Sequence, residues 1–232
     1  MGKLTASWIE RLGTDGYADL ATELHRFPEL RDAVVPSGFQ FTVEPNESQM
    51  ETCDDVVAFE LIVHLLAPLA GNVERWRRTG HVDIGVDPDQ RVLLIHTLDT
   101  PPVLHRGRIG ARIVNNLVDL GHSLELDEVW VEANKIGRWA WARWGFEFAD
   151  DAERERVLRA AKCFADTLGR SVDVSSIERP GDFAALIEPV SAEAVRAAGG
   201  PVIDGGREVS LGKALLLGPA QQDNYWRGRL KL

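Results

Sequence analysis

The order of hydrophobic patterns along this 232-residue chain predicts an α/β fold of the α+β type, a twisted mixed sheet flanked by helices. Three observations carry that expectation. Strand-like runs succeed one another from residue 72 to residue 98, and the most apolar of them, Val92 to Leu98, is the natural central strand. A basic, glycine-bearing loop and an amphipathic helix come next. A second alternating run, Val129, Val131 and Ala133, then leads into a short helical segment that ends in Gly145 and Phe146.

Residues 5 to 35 read as helical, because Trp8, Ile9 and Leu12 share one face and Tyr17, Leu20, Ala21 and Leu24 another, until Pro28 and Pro36 interrupt the pattern. Phe39, Phe41 and Val43 alternate with polar neighbours, as in a first strand. A long helix is expected next. Ser48 and Glu51 have the spacing of a capping box, and Val56, Val57, Phe59, Ile62, Val63, Leu66 and Leu69 continue at helical spacing. Three strands are expected over residues 72 to 78, 81 to 86 and 91 to 98, with a tight turn at Asp87 to Gln90. Pro101 and Pro102 end the last of them. In the helix after the loop, Ile109, Ile113, Leu117 and Leu120 fall on one face, and Gly121 has the position of a C-terminal cap. Alternation at residues 129 to 133 puts Trp130 and Glu132 on the face opposite to Val129 and Val131.

Beyond residue 150 the reading is coarser. Residues 151 to 168 form a helix with a solvated charged face, DAERER, and an inner face of Val157, Ala161, Phe164 and Leu168; residues 191 to 198 form another, and Val209 to Leu217 a late strand. The organisation is a helical extension over residues 1–38, a core over 39–149 and a C-terminal extension over 150–232.

A net charge of -10 excludes general attachment to nucleic acid or to an anionic membrane, since the field of the whole molecule repels phosphate. Any anion site must be local. Cys53 and Cys163 have no metal-ligand spacing and read as buried thiols, so a reducing cytoplasm is the expected compartment. No apolar run is long enough to span a bilayer, and the first residues lack a secretory pattern. His81 with Asp83 lacks further ligands at metal-site spacing, so no metal is expected, and no G-x-S-x-G is present.

The loop and the forty residues after it carry the chemistry. Arg106, Gly107, Arg108, Ile109, Gly110 and Ala111 offer two guanidinium groups and sparsely substituted backbone at the start of a helix, whose positive dipole end favours anions. Asn134, Gly137, Trp141, Gly145 and Phe146 then stand at the spacing N-x-x-A-x-x-x-Y-x-x-x-G-F, with glycine for alanine and tryptophan for tyrosine. Taken together, residues 105 to 146 resemble the core of the GNAT (GCN5-related N-acetyltransferase) superfamily, sharply over 91 to 148 and loosely over 39 to 90. In that family the loop pattern is Q/R-x-x-G-x-G/A. If Gly110 takes the last glycine place, His105 leads and Arg108 replaces the first glycine; if Arg106 and Gly107 lead, one residue is missing before Ile109.

The resemblance implies acetyl-CoA, or another acyl-CoA, as co-substrate. It implies that the pyrophosphate lies on Arg106 to Ala111, and that the pantetheine arm lies between strands corresponding to residues 92–98 and 129–133. It further implies a thioester carbonyl on the backbone N–H near Leu98, with Asn134 and Trp141 completing the cofactor-binding set. An amine acceptor, small molecule or protein, would take the acyl group by direct transfer. A cationic amine such as a polyamine, an aminoglycoside or lysine suits the acidic surface. Transfer needs a base for the amine and stabilisation for the leaving thiolate. Trp141 stands where the family has its tyrosine acid, and an indole N–H does not serve as one. The candidate catalytic groups are therefore His96 and Asp99 near the end of the central strand, Glu132 on the neighbouring one, and Tyr225 in the tail DNYWRGRLKL. Arg138 and Arg143, interleaved with Trp139, Trp141 and Trp144, can form a cation-π surface, though some of these indoles should fill the core. The rival is a catalytically degenerate binding protein of the same fold; a third reading is a different CoA-thioester reaction.

Overall fold

A computed structural model of the chain describes residues 40–45, 59–69, 72–87, 90–99, 109–134, 137–201, 208–218 and 225–232. The helices expected over 5–35, the Ser48 and Glu51 capping box, and Cys53 lie outside these residues. Strands and helices mix as expected, in a mixed sheet flanked by helices. The chain divides into two compact units, Met1–Val129 with Lys231–Leu232, and Trp130–Leu230.

In the first unit four strands are neighbours in chain order, each antiparallel to the next: β1 Gln40–Pro45, β2 Phe59–Leu69, β3 Asn72–Asp87 and β4 Val92–Asp99. The register passes from Val43 to Val63, from Val63 to Val82 and from Val82 to Leu98. Strand β2 corrects the expected long helix. Its run FELIVHLLAPL is almost continuously apolar and so satisfies a helical period as readily as a strand, and pairing with β1 and β3 on its two sides decides the matter. Strand β3 likewise corrects an expected break at residues 79 and 80. Gly80 partners Leu65 and Arg78 partners Leu66, so Thr79 is the extra residue of a β-bulge and the strand runs on.

The turn at Asp87 forms where expected. Its carboxylate accepts from the Gln90 backbone N–H and from the Gln90 side-chain amide, each at 2.9 Å. Arg91 comes next with φ 57°, and its guanidinium donates to both carboxylate oxygens of Asp127, at 2.7 and 3.0 Å, and to the Glu125 carbonyl. The hydrogen bond from Arg91 holds the Asp127 carboxyl below its ordinary value of 3.8. A carboxylate depressed in the fold adds stability above its unfolded pKa and loses that share as pH falls through the folded one. Acid titration of unfolding should therefore show a shallower loss below pH 3.8 for Asp127→Asn than for the unaltered chain. Parallel acid limbs would refute this.

Helix α1, Ile109–Ser123, buries the face predicted for it, Ile109, Ile113, Leu117 and Leu120, and Val114 besides. With Val82, Ile84, Val86, Leu93 and Ile95 of the strands they make this unit's core. Each such side chain contributes about 1.5–3 kcal/mol by leaving water. Gly121 does not cap the helix as expected, because α1 continues to Ser123. A Cβ at Gly121 would lie 2.5 Å from Cδ1 of Leu232, so its missing side chain makes room for the last residue, whose N–H donates to the Asp127 carbonyl at 2.9 Å.

Strand β5, Glu128–Ala133, alternates as predicted, with Val129, Val131 and Ala133 buried and Trp130 and Glu132 exposed. The second unit continues with helix α2 Gly137–Arg143, strand β6 Glu147–Phe148 and helix α3 Asp151–Thr167. A 3-10 turn, Pro180–Ala185, is succeeded by β7 Pro189–Ser191, α4 Ala192–Ala197, β8 Glu208–Ser210, α5 Leu211–Leu217 and β9 Trp226–Lys231. Strand β9 lies between β5 and β6, antiparallel to β6 with Phe148 opposite Gly228, while β7 and β8 form a separate pair. The expected strand at 209–217 is corrected: only its first residues pair, and Ser210 then caps α5 by accepting from the Lys213 N–H.

Helix α3 is capped by Asp150, which accepts from the Glu153 N–H at 2.7 Å. Its inner face of Val157, Ala161 and Phe164 is buried, as are Leu211, Ala214, Leu215, Leu216 and Leu217 of α5. Two expectations fail on this helix. Cys163 is exposed rather than buried. The ERER stretch is not wholly solvated, since Glu153 is only 4% exposed. Its Oε1 accepts from Arg156 Nη2 and from the Arg227 backbone N–H, both at 2.7 Å, and its Oε2 accepts from Arg156 Nε at 3.1 Å. A carboxylate inside needs such partners, and one of them is the start of β9.

Candidate functional site

Strand β4 delivers the chain to the loop. Its first half is apolar, with Val92, Leu93 and Ile95 buried, whereas Leu94, His96, Thr97 and Leu98 are half-buried and Asp99 is exposed. The change coincides with a β-bulge: Asp83 partners Thr97 and Ile84 partners Ile95, leaving His96 as the extra residue. A bulge re-aims side chains and increases local twist, and such irregularities are common beside functional sites. One residue past Leu98, the Asp99 carboxylate lies 3.9 Å from Nδ1 of His81, its register partner on β3.

Residues 100–108, with Arg106, Gly107 and Arg108, lie outside the described residues. Helix α1 begins directly after them at Ile109, which is buried, with Gly110 and Ala111 half-buried in its first turn. That turn holds no acidic residue. A helix of this length presents roughly half a positive charge at its start, undiminished here by a carboxylate in the turn. Arg106 and Arg108 precede it in the sequence. Chemically, the segment suits a phosphorylated ligand.

The candidates of the second unit have other surroundings. Asn134 stands three residues before the start of α2, and its side-chain amide donates to the exposed Glu132 carboxylate at 3.2 Å. Trp141 is 5% exposed, with its ring edge-on to Trp144 at 5.0 Å and to Phe146 at 5.2 Å. Gly145, at φ 91°, turns the chain out of α2 into Phe146, which is buried. Of the neighbouring indoles, Trp139 and Trp144 are half-buried, in keeping with their spacing around more than one face. Tyr225 precedes β9, and Arg156 lies over its ring at 5.2 Å while donating to its carbonyl. Arg138 is 4% exposed, and its pKa is lowered to about 10, first by burial and then by the like charge of Arg156. Because the folded pKa is the lower one, the stability share of this group grows as pH rises through about 10.

The structure thus brings Asp99 to His81, and Glu132 to Asn134. Sequence reading missed His81 as a partner for Asp99. Counting back across the turn at Asp87 would have placed it near residue 98, and only the bulge moves it to Asp99.

Neither the family models nor the curated proteins searched match this sequence. Among solved structures, an N-acetylglutamate synthase from Neisseria gonorrhoeae complexed with coenzyme A and N-acetyl-glutamate is similar at 16% identity and a TM-score of 0.32, covering 62% of this chain. The chain spans 31% of that neighbour's length. Among the described residues no helix is long and apolar enough to cross a membrane.

Proposed function

We propose that the chain is a GNAT-like acyltransferase that moves an acetyl or other acyl group from acyl-CoA to an amine. The observation that supports this reading best is the start of α1 at Ile109, directly after Arg106, Gly107 and Arg108 and without an acidic residue in its first turn. The backbone from Arg106 to Ala111 holds the pyrophosphate in this reading, and the two arginines pair with its oxygens. The backbone N–H of Leu98 polarises the thioester carbonyl. His81, oriented by Asp99, takes the proton of the acceptor amine; the amine nitrogen then bonds to the carbonyl carbon, the carbon–sulfur bond breaks, and the thiolate is protonated from solvent. Of the other candidates, His96 shapes the strand at its bulge and Glu132 pairs with Asn134. A cationic amine in the cytoplasm remains the acceptor class that the acidic chain favours.

The burial of Trp141 among Phe146 and Trp144 supports a second reading, in which the fold and the cofactor are kept without transfer. Calorimetry with acetyl-CoA and CoA, and then a thiol-release assay over an amine panel, separates the two. Saturable binding with release is expected. Binding without release for any amine favours the second reading, and no heat at roughly millimolar cofactor refutes both. Gly110→Trp should weaken acetyl-CoA binding at least about tenfold, near 1.4 kcal/mol, whereas unchanged affinity would remove the loop from the site.

A further inference from the structure

We infer that the unit Trp130–Leu230 carries a ligand site of its own, for a small organic carboxylate, in the cavity between the end of α2 and the 3-10 turn Pro180–Ala185. The cavity has a volume of about 240 Å³, below the usual range for drug-sized ligands, so its occupant is compact. Ala142 and Phe146, both otherwise buried, line it beside Gly145 and Gly181. Its mouth is cationic. Arg143, the last residue of α2, and Arg179, the residue before the turn, line it from two separate elements and are both exposed.

The single carboxylate in the lining, Asp182, is committed elsewhere. Its Oδ2 accepts from the backbone N–H groups of Glu178 and Arg179 at 2.9 and 2.8 Å, which fixes the start of the 3-10 turn. Its Oδ1 forms an ion pair with Nη2 of Arg179 at 3.8 Å, longer than a hydrogen bond. Two arginines and one carboxylate line the space, so its lining keeps one positive charge in excess on a chain of net charge -10, and Arg143 is the arginine that Asp182 does not pair with.

Two glycines make the space. At Gly181 a Cβ would lie 3.2 Å from the Ala142 carbonyl oxygen, so the absence of a side chain lets the turn approach α2 closely. Gly145, at φ 91°, has nothing within 4 Å of its Cβ position and leaves the other wall open. A carboxylate on a compact body fits this combination, because guanidinium groups match carboxylate geometry.

Calorimetry on the full chain at low salt tests the inference with benzoate, inorganic phosphate and benzamide as probes. Expected is one saturable benzoate site, with phosphate weaker and neutral benzamide not bound. Arg143→Ser and Arg179→Ser should each weaken benzoate about tenfold, with acetyl-CoA affinity unchanged. Both side chains are exposed, so both variants should fold. Absence of saturable benzoate binding, or binding that survives both substitutions, overturns the inference and leaves Arg143 as a complement to the carbonyls of α2. Phosphate binding as tightly as benzoate overturns the carboxylate assignment. The outcome is independent of the acyl-CoA reading, whose variants lie in the other unit.

Discussion

Gly212→Ala should lower stability by about 3 kcal/mol or more and the Tm by roughly 6–12 °C, as thermal unfolding monitored by circular dichroism would show. The added Cβ would stand 1.7 Å from the carbonyl oxygen of Phe183 and 2.7 Å from its carbonyl carbon. Neither is the far end of a flexible side chain. The Phe183 side chain is fully buried, and the Gly212 N–H already donates to the Leu186 carbonyl at 2.9 Å, so α5 cannot withdraw without losing that bond. Gly169→Ala is the informative control. It has φ 67° and nothing within 4 Å, so backbone strain alone should cost about 1 kcal/mol there. Equal losses at the two positions would contradict the steric argument.

Glu153→Ala is the second large effect expected, about 3 kcal/mol by urea denaturation. The figure is the low end for a broken buried pair, because Arg156 is 40% exposed and partly screened. Removing the carboxylate strips Arg156 of its bidentate partner and the Arg227 N–H of its acceptor, and it leaves Arg138 and Arg156 repelling one another. Glu153→Gln keeps an oxygen for the Arg227 N–H, so it should lose less. The double change Glu153→Met with Arg156→Met should recover most of the loss, since apolar groups of similar volume need no partners. A loss under about 1 kcal/mol for Glu153→Ala would mean that water reaches the carboxylate.

These two residues also mark where sequence patterns stop informing. Periodicity reveals an element when one face is buried and the other is not. It identified α1 through Ile109, Ile113, Leu117 and Leu120, and β5 through its alternation at Val129, Val131 and Ala133. It misread β2, whose apolar run has no distinguishing period, and the 209–217 segment, where LGKALLL is buried nearly all round as a helix. Gly121 reads as a cap by position, but its role is set by Leu232, more than a hundred residues away. Glu153 looks like any charge on a solvated helix face until β9 is brought beside it.

The candidate site divides the same way. A helix beginning at Ile109 after a basic loop can be read from local sequence, as can the Gly145 and Phe146 ending of α2. The His81 and Asp99 pair cannot, because it depends on register across a hairpin with a bulge. The pocket between Arg143 and Arg179 depends on the turn at Pro180 folding back to α2, which no short-range pattern encodes.

The position of β9 between β5 and β6 bears on how the second unit is made. A ribosome releases the chain from its N-terminus, so β5 and β6 emerge long before their shared neighbour. Until residues 226–231 are released, the facing edges of those strands are open to any other extended peptide, and Glu153 waits for the Arg227 N–H. Completion of this unit therefore waits for residues 226–231, and a nascent chain stalled or truncated before them should be a better chaperone client, and a more aggregation-prone species, than one that includes them.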